Sequence, residues 1–170
     1  FNFFHSNPEL STIEHKTAKR MAEELNQAGF EVTEGIGGTG VVALMKNGNG
    51  PLVMVRADMD GLPIEEKTGL KNASIAKQIS PVTGEMVNTM HACGHDVHIT
   101  SLVGTARYMA SNKNKWKGTL MLVVQPAEER GLGAIAMRED DIWKRFGTPD
   151  YALAFHVNSL DLAGKININE

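Results

Sequence analysis

Cysteine is nearly absent from this chain: the 170 residues hold one, Cys93, so no internal disulfide can form and a cysteine-rich zinc fold is excluded. That thiol is either an inert core group or a chemical one. Charge of one sign is also lacking. Seventeen Lys and Arg against 20 Asp and Glu leave a net charge of -3, which removes the electrostatic case for a nucleic-acid or anionic-membrane partner. The longest apolar runs, such as Leu120 to Val124, are about five residues, whereas a bilayer-spanning helix needs about 20, so a soluble chain is expected. The chain opens Phe1-Asn2-Phe3-Phe4-His5 with no basic, apolar signal segment, so the expected location is cytoplasmic, and the start reads as an internal cut. No repeat, low-complexity tract or domain linker is visible. What remains, 42% hydrophobic and 22% charged, is ordinary for a globular domain. A domain of this size needs no metal merely to hold it together, so a metal found here would be functional.

Periodicity predicts a helix from about Pro8 to Ala28, with Ile13, Thr17, Met21, Leu25 and Ala28 on one face and Gly29 as its stop. Ser11 and Glu14 have the spacing of a capping box. Phe30 to Thr33, Val41 to Lys46 and Leu52 to Arg56 read as strands, and Asn47-Gly48-Asn49-Gly50 signals a hairpin joining the last two. Gly61 to Asn88 reads as an irregular surface excursion. Helical spacing returns over Asp96 to Ala110, the run Thr119 to Val124 reads as a strand buried on both faces, and a helix is expected around Gly133 to Glu139. Strands at Tyr151 to Val157 and Lys165 to Ile168 complete an α/β sandwich with a mixed or mostly parallel sheet.

Five strings could carry chemistry. Gly35-Ile36-Gly37-Gly38-Thr39-Gly40 fits a dinucleotide-binding glycine pattern, but a strand rather than a helix follows it, so it reads as a flexible connection. Asp58 and Asp60 sit at the carboxyl end of a predicted strand, where ligands bind in open α/β sheets; a turn capped by either carboxylate is an equal alternative. His91, Cys93, His95 and His98 fall within eight residues beside Asp96, and imidazole and thiolate next to carboxylate suit a borderline-soft divalent ion such as zinc. If that segment is extended, Cys93 and His95 project to one side, which His91 and His98 need not share. Glu128 and Glu129 follow the apolar strand. In extended chain they point oppositely, so one can bind a metal while the other addresses substrate or water. His156, inside an apolar strand, is a ligand or a satisfied core histidine.

Taken together, Arg56 to Pro63, Met90 to Asp96, Gln125 to Glu129 and Phe155 to Val157 resemble, in order, the motifs of the metallo-amidohydrolases that include hippurate hydrolase, N-acyl-amino-acid amidohydrolases and the plant indole-acetyl-amino-acid hydrolases. His5 to Leu10 resembles that family's opening motif. The resemblance implies a zinc-peptidase-like three-layer sandwich with a mixed, mostly parallel sheet. It also implies two divalent ions, zinc or manganese, with Cys93 shared by both and His95, His156 and Glu129 as further ligands. Glu128 would be the general base that activates water, and Asp58 a supporting carboxylate behind the ligands. Arg56 stands where related carboxypeptidases have a ligating histidine, so His95 would take that place. The implied reaction is hydrolysis of N-acyl amino acids or similar small amides or peptides by a homodimeric full-length enzyme. Family members are longer. Residues 1–170 would be the N-terminal portion of the catalytic domain, without the dimerisation (lid) domain and the C-terminal catalytic portion, and little activity is expected of them alone. Two other readings stand beside this one: a hydrolase with Cys93 as nucleophile near a helix N-terminus and His95 or His156 as base, and a metal-binding domain without catalysis. An intact Glu128 argues against the second, because pure binding needs no base.

Overall fold

The computed structural model describes residues 1–168. In chain order the elements are α1 (Asn2–Ser6), α2 (His15–Gln27), β1 (Glu31–Ile36), β2 (Gly40–Asn47), β3 (Leu52–Asp58), β4 (Lys77–Ile79), β5 (Met86–Asn88), α3 (His95–Ser111), β6 (Gly118–Gln125), α4 (Gly133–Glu139), α5 (Ile142–Phe146) and β7 (Tyr151–Ala154). Among the described residues no helix is long and apolar enough to cross a membrane.

Alternation along the central strands decides the layering. Val41, Ala43 and Met45 of β2 and Leu120, Leu122 and Val124 of β6 are buried in one core with Met21 and Leu25 of α2 and Ile99 and Leu102 of α3. Their neighbours Val42, Met121 and Val123 turn the other way, onto Met137 of α4 and Ile142 of α5. Successive strand residues face opposite sides, so a sheet that is apolar at every position must be covered twice, and the result is helix, sheet, helix. The sheet order is β1-β2-β6-β3-β7. Its mixed character is as expected: β1–β2 and β2–β6 are antiparallel, β3–β6 and β3–β7 parallel.

Several local expectations give way to longer-range contacts. β2 and β3 do not form a hairpin, because β6 lies between them and pairs with both. The Asn-Gly repeat marks a turn but does not choose a partner, and β6, buried at nearly every position, belongs at the centre. α2 begins at His15 rather than near Pro8, since Leu10 bridges to Gly61 and holds the preceding chain extended. The capping box is not made. Glu9 instead accepts the free N-H groups of Lys16 and Thr17 at 3.2 and 2.7 Å. The excursion after Gly61 contains the short antiparallel pair β4–β5. β7 stops at Ala154, leaving His156 beyond it, and 165–168 form no strand. The glycine string is the turn of the β1–β2 hairpin.

Candidate active site

Parallel pairing sets Asp58 of β3 beside Gln125 of β6, so the loops leaving both strands emerge together. β7 exits on the same side, and α3 starts there with His95 as its first residue. Four segments thereby meet at the carboxyl ends of parallel strands, the usual ligand position in such sheets.

His95 is the centre. Fully buried, it holds Asp60 Oδ1 at 3.2 Å through Nδ1. A carboxylate can only accept, so Nδ1 donates and the Nε2 lone pair is left free. That atom has no hydrogen-bond partner and lies 3.8 Å from Glu128 Oε2, 3.8 Å from Glu129 Oε1 and 3.7 Å from Asp58 Oδ2. Glu129 Oε1 is likewise buried and unpaired. On the other flank Cys93 Sγ sits 3.4 Å from His156 Nε2, and the His156 ring is fixed by Nδ1 donating to the Val157 carbonyl at 2.6 Å. Three donor sets each have their donor atoms within 4.8 Å of one another: Cys93, His95 and His156; His95, Glu128 and Glu129; Asp58, His95 and His98. His95 is common to all three.

The donor chemistry fits a metal. A buried imidazole nitrogen and a buried carboxylate oxygen left facing each other without partners are costly, and a divalent ion satisfies both. Charge agrees. Burial pushes the Glu129 carboxyl up, with Asp60 and Glu128 adding to it, and burial with the Glu129 carboxylate pushes the Cys93 thiol up to about 11.

His98 is different, although its atoms fall in one donor set. Its Nδ1 donates to Asp58 Oδ1 at 2.5 Å and its Nε2 accepts from the Val157 amide at 3.0 Å, so it has no lone pair to offer. It braces the loop that carries His156. Burial opposes ionisation of Asp58, but the His98 hydrogen bond and the neighbouring His95 ring and Arg56 guanidinium outweigh it and hold the carboxyl down to about 2. Arg56 lies along the same edge, donating to Asp58 Oδ2 at 2.6 Å and to Gln125 Oε1 at 2.9 Å. His91, 6% exposed, belongs to none of the three sets, and burial pushes it down to about 4.

Two geometric expectations are corrected. The Cys93 segment is a turn closed by Gly94 at φ 81°, not an extended run, and it is this turn that brings Cys93 and His95 together. Glu128 and Glu129 also leave extended geometry, after Ala127 at φ 46°, so both carboxylates approach His95 instead of pointing apart. His156 is exposed, which removes the core-histidine alternative. The carboxylate that holds His95 Nδ1 is Asp60, for which no such role is expected from sequence; Asp58, the carboxylate expected to support the ligands, bonds His98 instead. The i, i+3 spacing of His95 and His98 was a usable signal that both face one side of α3.

Comparison with known proteins extends the picture. Hippurate hydrolase of Campylobacter jejuni is 45% identical over 153 residues, 89% of this chain and 37% of that protein. N-acetyl-L-cysteine deacetylase of Bacillus subtilis is 42% identical over 137 residues, 80% of this chain and 30% of the relative. A solved Bacillus subtilis structure, described as a dinuclear metal binding peptidase from the M20 family, superposes with a TM-score of 0.79 at 34% identity, over 92% of this chain and 41% of that one. The chain thus spans between 30% and 41% of the length of these relatives. Residues 54–170 match the model of peptidase family M20/M25/M40, a span that holds every residue of the three donor sets. By that match and by the donor set it encloses, the chain belongs to peptidase family M20/M25/M40.

Proposed function

We propose that the complete protein hydrolyses the amide bond of an N-acyl amino acid or a similar small amide or peptide, using two divalent metal ions held in part by this chain. Cys93 would be shared between the ions, with His95, His156 and Glu129 as the other ligands, and Glu128 would be the general base. The observation that carries the reading is the unpaired, fully buried His95 Nε2, which lies within 3.8 Å of two adjacent glutamates. Bound ions of this kind supply Lewis acidity, which acidifies water and polarises the scissile carbonyl. Glu128, whose side chain is 38% exposed, can reach solvent; it would take a proton from the attacking water and return it to the leaving amine. Relatives named as a hippurate hydrolase and an N-acetyl-L-cysteine deacetylase support the substrate class, and a dinuclear neighbour supports the metal count. The thiolate favours zinc over manganese on softness.

Asp60 would act through His95. Holding Nδ1 fixes the tautomer and aims Nε2, so Asp60→Asn is expected to weaken metal binding by about 10- to 100-fold, read by competition with a chromogenic chelator.

The deciding experiment measures turnover of N-acyl amino acids, hippurate included, by the complete protein with zinc, with manganese and after chelation. Chelation should remove about 99% of activity, and added metal should restore it. The competing reading makes Cys93 a nucleophile, but burial and the carboxylates around that thiol push it up, the opposite of activation. Turnover that survives chelation and is lost on thiol alkylation would overturn the metal reading.

A further inference from the structure

The residues that spell a capping box do not cap; they reach into the back of the site. Ser11 Oγ donates to Asp60 Oδ2 at 2.6 Å, and Glu14, fully buried, is spent on the loop after β6. Glu14 Oε1 accepts from the Ala127 amide at 2.8 Å and the Thr12 amide at 2.9 Å, while Oε2 accepts from Thr39 Oγ1 at 2.6 Å. Three donors surround this carboxylate, and among the described residues no cation bonds it. A buried carboxylate is expensive to keep and an apolar residue would fill the space at less cost, so its retention asks for a use.

Ala127 supplies one. It is the left-handed residue, at φ 46°, that turns the chain out of β6 and into Glu128. Its amide is held by Glu14, and its carbonyl accepts from Leu132 and Gly133 at the start of α4 at 3.1 and 3.3 Å. On the far side of Glu128, the Glu129 amide donates to Asp60 Oδ2 at 3.1 Å. Glu128 therefore stands between two pinned amides, one held by Glu14 and one by Asp60.

We infer that Glu14 is a positioning residue for Glu128, fixing the Pro126–Ala127 peptide at which the chain turns into that residue. The inference rests on the reading of Glu128 as base. Because Glu129 has its own anchor in Asp60, loss of the Glu14 clamp displaces the base more than the metal ligand: kcat falls while metal stays. The thread also absorbs the glycine string, whose Thr39 steadies Glu14 from the β1–β2 turn.

Reach and charge separate in two variants of the complete, metal-loaded protein. Glu14→Gln keeps the reach, accepting both amides through its carbonyl and donating to Thr39; Glu14→Asp keeps the charge but falls short of Ala127. The expected result is kcat reduced about 10- to 100-fold in Glu14→Asp, with KM and metal stoichiometry within about twofold, and kcat within about threefold of the unmodified protein in Glu14→Gln. Amide hydrogen exchange gives a readout independent of turnover: the Ala127 N-H should exchange at least about tenfold faster in the Asp variant only, with α2 amides unchanged. Equal kcat in the two variants, or metal lost together with kcat in Glu14→Asp, overturns the inference. Should Glu14→Asp not fold, Thr39→Val decides: faster Ala127 exchange with reduced kcat supports the clamp, and unchanged values overturn it. Glu128→Gln that retains turnover defeats the base assignment instead, and Ala127 exchange in the Glu14 variants tells the two failures apart.

Discussion

Glu128→Gln in the complete, metal-loaded protein is expected to lower kcat by roughly 10²- to 10⁴-fold with metal content unchanged. The substitution is nearly isosteric, and the Glu128 side chain is 38% exposed, so folding has little at stake. The proposed ligands Cys93, His95, Glu129 and His156 are untouched. What disappears is the group that can take a proton from water beside His95 and pass it to a departing amine, and an amide in its place can do neither. KM should move little, because Glu128 is asked to stabilise the transition state rather than to bind substrate. Steady-state kinetics together with elemental analysis check this. Loss of metal alongside activity would show that Glu128 is a ligand, and kcat within a factor of about ten would show that the base lies elsewhere.

His95→Ala should have the other large effect, loss of metal itself. His95 is the one residue present in all three donor sets. Without it, Cys93 and His156 remain as a pair on one flank and the two glutamates on the other, and neither group alone completes a site. Metal content after gel filtration is expected to fall below half that of the unmodified protein, and turnover to background. The fold should persist: Asp60 keeps its bonds from Ser11 and the Glu129 amide, and the removed ring leaves one buried unpaired nitrogen fewer. Full metal stoichiometry in His95→Ala would remove the basis of the proposed centre.

Much of the site was legible because its donors come in short strings. Cys93 and His95 are two residues apart, Glu128 and Glu129 adjacent, and each string ends or begins an element with a clear hydrophobic pattern. The pairing of strands was less legible. The Asn47 to Gly50 turn signal concerns four residues, whereas the choice of β6 as partner for both β2 and β3 is settled by burial some 70 residues away along the chain. Ser11 and Glu14 fail as a cap for the same reason: at that spacing local capping competes with Asp60, Thr39 and Ala127, and none of those neighbours is visible until the sheet has formed. The sequence singles out Asp58 and overlooks Asp60, because each holds a histidine and only the start of α3 decides which one.

The insertion of β6 between β2 and β3 also sets an order of events during synthesis. β1 and β2 are consecutive and can pair as soon as they leave the ribosome, but β3 has no partner in the main sheet until Gly118 to Gln125 emerges. At about 5–20 residues per second that is a wait of several seconds, during which β2 and β3 present unpaired apolar edges. Closing such distant contacts is slow, since chain entropy is spent before any pairing repays it. The nascent chain is thus most exposed to edge-to-edge association in the interval before β6 arrives, and the placement of one strand delays the chemical centre until nearly all of these residues have been made.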